Sequence, residues 1–165
     1  MNVVHRDIKL ENILLDKKMS ADNCDPVIKI ADFGFSTYLD PKKKGLIDFV
    51  GTEGYMAPEI LKLFSNHSSL DEKYKSRSQD YNHKVDVWAV GIVAFEMLSG
   101  GSLPFAHRNA GYCHYNVIHK LPPYAKYEAF QDEVVRDFIK KCLIADPEQR
   151  PEAVAMLNHA WLEEF

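Results

Sequence analysis

Residues 85–98, with the sequence VDVWAVGIVAFEML, constrain the fold of this chain more than any other segment. They are apolar nearly all round at helical spacing, which is the pattern of a helix enclosed by a core. The Ser-Gly-Gly that follows is a helix stop. We therefore expect a central buried helix with the other elements packed around it.

Composition bounds the size of that core and the kind of partner. The chain has 165 residues, of which 46% are hydrophobic, which suits one globular domain over residues 1–165. Its net charge is -4 and its pI is near 6.0, whereas a general nucleic-acid binder is usually clearly basic. No nucleic-acid partner is expected.

Cellular location follows from the apolar segments and the cysteines. The start, MNVVHRDIKLEN, lacks the long apolar run of a signal peptide, and the most apolar segment carries Asp86 and Glu96. No membrane span and no membrane partner are expected. Cys24, Cys113 and Cys142 form no CxxC pair, and an odd count fits a reducing compartment. The sequence thus predicts an intracellular, cytoplasmic protein.

Two segments near the start lead from short strands into polar turns. VVHRDIKLENILL has apolar runs on both sides of a charged centre, which predicts strand, loop, strand over residues 3–15. In DPVIKIADFGFS, a β-branched run at residues 27–30 leads to a turn with Asp32 and Gly34. We expect the two strand ends to present acidic side chains side by side.

The rest of the chain is predicted to be mainly helical. Residues 40–58 are rich in Gly, Pro and charge without a sustained period, which predicts a long functional loop. A helix should begin near Pro58, and a polar insertion should follow at about 64–82. Further helices are expected around residues 110–119, 132–144 and 151–157.

Three motifs occur in a fixed order: HRDxxxxN from His5 to Asn12, DFG at 32–34 and APE at 57–59. With DVWAVGIVAFEML and DPEQRP, they resemble the C-terminal lobe of the eukaryotic protein kinase family over essentially all 165 residues. The resemblance implies a mainly α fold with short β-strands, as an incomplete kinase C-terminal lobe. Lys9 and the sequence GTEGYMAPE resemble serine/threonine rather than tyrosine kinases.

The resemblance also implies ATP and Mg²⁺ as cofactors. A magnesium-bound triphosphate needs hard oxygen ligands, a nearby cation, and a carboxylate to orient the attacking hydroxyl. Asp7 would orient or accept the hydroxyl proton, and Lys9 would neutralise charge on the transferring phosphate. Asn12, also in the catalytic set, would hold Mg²⁺ together with Asp32. Leu14 matches the apolar floor under adenine and completes the cofactor-binding set of Lys9, Asn12 and Asp32.

Other matching positions imply substrate recognition and regulation. Glu11 and Glu96 imply protein substrates with an arginine upstream of the acceptor, and Thr52 belongs to the same substrate-binding set. Asp48 stands three residues before Gly-Thr, where many relatives carry a phosphorylated residue, and it would supply a permanent charge to Arg6. Four more matches are structural rather than catalytic: His5, Asp86, Glu59 and Arg150.

Several family motifs are not found in these 165 residues. They contain no GxGxxG loop, no VAIK-type lysine and no partner glutamate helix, which belong to the family's N-terminal lobe. We expect a fragment that is inactive alone, with the missing N-terminal lobe supplied in the full-length protein. The alternative is a non-catalytic module that binds a kinase substrate or partner protein. The set Asp7, Lys9, Asn12 and Asp32 favours the enzyme, because binding alone needs no such set.

Overall fold

The computed structural model describes residues 2–16, 27–40, 42, 45–68, 80–106 and 110–163. Its strands are β1 (Val3–Val4), β2 (Ile13–Leu15), β3 (Ile28–Ile30) and β4 (Thr37–Tyr38). Its α-helices are α1 (Pro58–Ser68), α2 (Lys84–Leu98), α3 (Ala110–His119), α4 (Glu133–Cys142), α5 (Ala153–Met156) and α6 (Ala160–Glu163). Short 3-10 helices cover Leu10–Asn12, Tyr124–Lys126 and Glu128–Gln131. The fold is mainly helical with a few short strands, as the sequence predicted.

Two antiparallel strand pairs carry the loops near the start of the chain. β1 pairs with β4, with Val4 opposite Thr37, and β2 pairs with β3, with Ile13 opposite Ile30. The predicted strand, loop, strand pattern is confirmed, although the loop contains a 3-10 helix. The first loop joins β1 to β2 and the second joins β3 to β4, so the two pairings hold these loops beside each other.

α2 is the centre of the core, as the sequence predicted. Trp88 and Ile92 belong to one cluster of buried side chains, whereas Phe95 belongs to a second cluster that includes Phe138 of α4. Each such side chain contributes about 1.5–3 kcal/mol through its burial. α2 has 15 residues, and none of the helices in the described ranges is long and apolar enough to cross a membrane.

α4 is the amphipathic partner of α2. Its first turn is capped by Asp132, whose Oδ1 accepts from the amides of Val134 at 2.7 Å and Val135 at 3.3 Å. α2 approaches it closely, because a Cβ added at Gly91 would lie 2.6 Å from the Cβ of Cys142. Only glycine permits that separation, and it fixes how the two helices cross.

A buried ion pair joins α1 to the segment between α4 and α5. Arg150 donates from Nη1 to Glu59 Oε1 at 2.7 Å and from Nη2 to Oε2 at 3.0 Å. Its Nε and Nη1 also donate to the carbonyls of Ile144 and Lys84, each at 2.9 Å. The guanidinium lies 5.1 Å from the ring centroid of Trp88. One side chain thus joins α1, α2 and the segment between α4 and α5.

The polar insertion at about 64–82 stays a prediction, because residues 69–79 lie outside the described residues. At its first edge, α1 extends through Ser68. At its second edge, Tyr81 is only 3% exposed and forms two backbone hydrogen bonds with Leu46. Polar residues can extend a helix once its first turns exist, and an aromatic side chain can pack despite polar neighbours.

Candidate active site

A strained backbone shapes the loop that follows β1. Arg6 has a φ of 69°, in the left-handed region, which costs roughly 1–2 kcal/mol for an ordinary residue. Asp86, in the first turn of α2, holds this turn by accepting from the amides of His5 at 2.7 Å and Arg6 at 2.8 Å. Burial raises the pKa of Asp86, and the two amide donors act against that rise. The same turn brings Asp7 to a buried position.

The second loop contacts the first through His5. Its Nε2 lies 3.0 Å from the carbonyl oxygen of Ala31. Its ring meets that of Phe33 edge on, with centroids 4.9 Å apart. Asp32, between these two, also has a positive φ, of 58°, and its Oδ1 accepts from the amide of Gly34 at 3.1 Å. The exposed carboxylate of Asp32 therefore has a defined orientation beside the first loop.

Asp7 lies at the centre of a hydrogen-bonded cluster. Its Oδ1 accepts from Thr52 Oγ1 at 2.6 Å, and its Oδ2 lies 3.0 Å from Lys9 Nζ. Lys9 Nζ also donates to Thr52 Oγ1 at 2.7 Å. Asn12 Nδ2 donates to the backbone oxygen of Asp7 at 2.8 Å and lies 3.3 Å from Oδ2. These contacts fix the orientation of the Asp7 carboxylate.

The same contacts set the charge of Asp7. Burial acts to raise the pKa of this carboxyl group, but the hydrogen bonds from Thr52, Lys9 and Asn12 and the charge of Lys9 outweigh it. The pKa of Asp7 is therefore below its ordinary value. The carboxylate is ionised at neutral pH and acts only as an acceptor. Such a group can orient a hydroxyl and receive its proton.

Asn12 and Asp32 supply hard oxygen donors at adjacent strand ends. Because the amide nitrogen of Asn12 is committed to Asp7, its side-chain oxygen stays available as an acceptor. Asn12 precedes β2 and Asp32 follows β3, and the amide of Ala31 donates to the carbonyl of Asn12 at 2.8 Å. An amide oxygen and a carboxylate are donors that Mg²⁺ accepts, with phosphates and water filling the remaining positions. The residues present therefore fit a magnesium ion.

An exposed leucine lies near these donors. Leu14, on β2, is 50% exposed and stands opposite Lys29 of β3, so these two side chains share one face of the strand pair. Leu15, Ile28 and Ile30 are also exposed, but the register puts them on the other face. An exposed leucine beside oxygen donors can contact the flat face of a base.

Arg6 and Asp48, which the sequence pairs, are in contact. Arg6 Nη1 lies 2.9 Å from Asp48 Oδ2. The guanidinium also donates to the carbonyl of Phe35 at 2.6 Å and to Tyr81 Oη at 3.1 Å. Burial acts to lower the pKa of Arg6, but its hydrogen bonds with Tyr81 and Asp48 outweigh burial and raise it. Arg6 is thus a permanent cation between the two loops.

Two carboxylates, those of Glu96 and Glu11, influence the hydroxyl of Tyr55. The hydroxyl of Tyr55 donates to Glu96 Oε2 at 2.6 Å, and its amide donates to the carbonyl of Thr52 at 3.1 Å. Burial raises the pKa of Tyr55, and the hydrogen bond with Glu96 and the charges of Glu96 and Glu11 raise it further. Glu11 and Glu96 therefore both act on the hydroxyl of Tyr55, which is three residues after Thr52.

The sequence pointed to most of this site but missed two tyrosines. The predicted catalytic residues of the first loop share one cluster with Thr52, whereas Leu14 lies on β2 and Asp32 lies in the turn after β3. Tyr55 lies inside the GTEGYMAPE segment, so its place in the motif was an available signal. Tyr81 follows a polar stretch, SRSQD, and its only local signal is an aromatic ring among polar residues.

A sequence model of the protein kinase domain matches residues 1–162. The chain belongs to the protein kinase family. This kinase chain is similar to the phosphorylase b kinase gamma catalytic chain, liver/testis isoform, of Homo sapiens, at 39% identity over 168 residues. It is also similar to serine/threonine-protein kinase pakB of Dictyostelium discoideum, at 35% identity over 160 residues.

These alignments cover nearly all of the kinase chain but a smaller part of the relatives. The human match covers 98% of the chain and 36% of the relative, and the Dictyostelium match covers 97% and 16%. The chain thus spans 36% of the length of the human phosphorylase kinase relative. Protein kinases in general use ATP with Mg²⁺ and act on protein substrates. The predicted family and fold class are confirmed.

Proposed function

We propose that this chain carries the catalytic loop of a serine/threonine protein kinase, which transfers the γ-phosphate of ATP to protein Ser and Thr hydroxyls. The observation that carries the proposal is the cluster in which Lys9, Thr52 and Asn12 hold a buried, ionised Asp7. In phosphoryl transfer the protein contributes mainly positioning and electrostatic stabilisation. A fixed carboxylate beside a lysine supplies both.

Asp7 and Lys9 divide the work at the reacting atoms. Asp7 would accept a hydrogen bond from the substrate hydroxyl and receive its proton as the oxygen–phosphorus bond forms, while the bond from the γ-phosphorus to the β–γ bridging oxygen breaks and ADP leaves. The ammonium of Lys9 has three donor positions, of which Asp7 and Thr52 use two. The third is available to an oxygen of the transferring phosphoryl group, whose negative charge Lys9 offsets.

Asn12, Asp32 and Leu14 would bind the donor. Asn12 and Asp32 would hold Mg²⁺ through their side-chain oxygens, in keeping with the donor set at these strand ends. When bound, Mg²⁺ neutralises charge on the β- and γ-phosphates. Leu14, half-exposed on β2, would support the adenine ring.

Glu11 and Glu96 would select substrates with an arginine upstream of the acceptor. Tyr55 engages Oε2 of Glu96, so the Oε1 atom is available to a guanidinium. Pairing between arginine and carboxylate is geometrically selective, because the planar guanidinium forms parallel hydrogen bonds. The exposed Glu11 adds a second negative charge next to this position.

Arg6 and Asp48 would make phosphorylation unnecessary at the usual position of the long loop. Asp48 gives Arg6 a carboxylate at 2.9 Å, where a phosphorylated residue would bring about 1.5 to 2 charges. Residues 41–51 contain no Ser, Thr or Tyr, so the switch has no acceptor there. The loop is held by a permanent, smaller charge.

Kinetics of the full-length protein test the proposed function. With Mg-ATP and a serine peptide that carries an upstream arginine, Asp7→Asn should lower kcat by about 10²–10⁴ while ATP affinity changes little. Asp137→Asn, the same change at an exposed position of α4, is the matched control. Equal rates for Asp7→Asn and the unmodified protein would refute the proposal. ATP binding without any transfer would favour the non-catalytic binding module instead.

An intracellular, cytoplasmic location is part of the proposal. It is supported by the proposed use of ATP and by Cys142, which is a free, buried thiol. Fractionation of cells that express the tagged full-length protein should find it with cytoplasmic markers. Recovery from the secreted fraction would contradict this location.

A further inference from the structure

Asp80 and Tyr81 hold one short part of the long loop, residues 45–48. The backbone of Tyr81 accepts from the amide of Leu46 at 2.8 Å and donates to its carbonyl at 2.9 Å. Asp80 Oδ2 accepts from the amide of Gly45 at 2.6 Å. Asp80 therefore binds the amide of Gly45, while Tyr81 binds both backbone groups of Leu46 and forms an isolated antiparallel bridge with it.

The hydroxyl of Tyr81 connects this contact to the ion pair of Arg6 and Asp48. It donates to the carbonyl oxygen of Asp48 at 2.8 Å and accepts from Arg6 Nη1 at 3.1 Å. Burial raises the pKa of Tyr81, so the phenol keeps its proton at neutral pH and serves both contacts. The same hydroxyl thus contacts the cation of the pair and the backbone of its partner.

The approach of the two segments leaves no room for a side chain. A Cβ added at Gly45 would lie 2.6 Å from the carbonyl oxygen of Tyr81, a backbone atom that cannot swing away. The loop and the Asp80–Tyr81 segment are therefore matched to each other in shape as well as in hydrogen bonding.

The ion pair alone is a weak anchor for this loop. The side chain of Asp48 is 62% exposed, and exposed ion pairs contribute little because solvent screens them. Tyr81, by contrast, is buried. A buried hydroxyl that binds the Asp48 carbonyl restrains the backbone from which the Asp48 side chain reaches Arg6.

We propose that Asp80 and Tyr81 are positioning residues that hold residues 45–48 so that Asp48 stays within reach of Arg6. The inference rests on the proposed function for its catalytic consequence, because Arg6 lies next to Asp7 in the chain. Its structural content is independent of catalysis: loss of these contacts frees the loop whether or not the chain transfers phosphate.

Hydrogen exchange of the 165-residue chain tests the structural content. Tyr81→Phe keeps the ring and removes both hydroxyl contacts, so amides of residues 45–52 should exchange roughly five- to tenfold faster. Asp80→Ala, at an exposed position, removes the acceptor and should accelerate exchange of the Gly45 amide without disturbing the core. Tyr115→Phe, in an exposed part of α3, is the matched control and should change none of these amides. Peptides from α2 and α4 should exchange as before in every variant.

Kinetics of the full-length protein test the catalytic consequence. Tyr81→Phe should lower kcat/KM, and adding Asp48→Asn should lower it by less than the product of the two single effects. Unchanged exchange at residues 45–52 in Tyr81→Phe would overturn the inference, as would independent effects of the two substitutions. Faster exchange in a protein that phosphorylates nothing would refute the proposed function while supporting the positioning role.

Discussion

Glu59→Gln isolates the cost of a buried charge that has lost its partner. The side chain of Arg150 is 0% exposed and that of Glu59 is 5% exposed. The substitution preserves size and shape, removes the negative charge and replaces one of the two acceptor oxygens with an NH2 donor. Arg150 keeps the carbonyl acceptors of Ile144 and Lys84, which bind its N–H groups without neutralising it.

Breaking a buried ion pair from one side costs about 3–5 kcal/mol. Glu59→Gln should fall at the lower end, about 3 kcal/mol, because the new amide oxygen still accepts one hydrogen bond and the Trp88 ring still faces the cation. The double variant Glu59→Leu with Arg150→Met removes both charges. It should be more stable than the single variant, since no ion is left buried and unpaired.

Urea unfolding measures these differences as changes in the free energy of unfolding. Tryptophan fluorescence and far-UV circular dichroism should give coincident transitions, as expected for one domain. Glu133→Gln is the matched control, because this glutamate pairs with Arg136 while 87% exposed. It should cost less than about 0.5 kcal/mol. Equal costs at both glutamates, or a double variant less stable than Glu59→Gln, would refute the reasoning.

Further predictions concern pH, specificity, regulation and stability. The lowered pKa of Asp7 means that its ionised form stabilises the fold. This contribution to stability is fully present above the ordinary carboxyl pKa of about 3.9 and is lost as pH falls through the lowered pKa. The kcat of the full-length protein should therefore show no titration of Asp7 between about pH 6 and 8, and an acid limb there that Asp7 variants move would contradict this. Glu96→Gln should reduce the preference for an upstream arginine by about tenfold in a peptide library, whereas a preference for acidic or proline-directed peptides rejects the role. Phosphatase treatment should leave activity intact while Asp48→Asn lowers it, and the reverse pattern means that Asp48 is not a built-in switch. Asp132→Ala should cost about 1 kcal/mol in urea unfolding through the lost cap of α4, and no measurable cost would contradict the capping role.

Elements with a strong local signal were predictable from the sequence. α2 was predicted because its residues are apolar on every side, and α3 was predicted at residues 110–119, where the structure has it. The end of α1 was not, since nothing in the polar residues after position 64 distinguishes a continuing helix from a loop. The pairing of β1 with β4 was also beyond the sequence argument, because it joins residues more than thirty positions apart.

The candidate site also has residues that the sequence predicts and contacts that only the fold shows. Motif spacing points to Asp7, Lys9, Asn12 and Asp32 as proposed site residues, because the HRDxxxxN and DFG motifs of the protein kinase family place these residue types at these positions. The contacts of Tyr81 with Arg6 and Asp48 span 75 and 33 positions and depend on packing between elements. A single sequence holds no record of which distant segments meet, so these contacts emerge only from the fold.

α2 also sets a distance. Asp86 in its first turn supports the backbone of the loop after β1, and Glu96 near its end accepts from the hydroxyl of Tyr55. The two residues are ten positions apart, which at 1.5 Å per residue separates them by about 15 Å along the helix axis. Exchanging one apolar side chain for another leaves this length unchanged. A single inserted residue would turn Glu96 by about 100° relative to Asp86. The number of residues between them is therefore constrained independently of the apolar character of the helix.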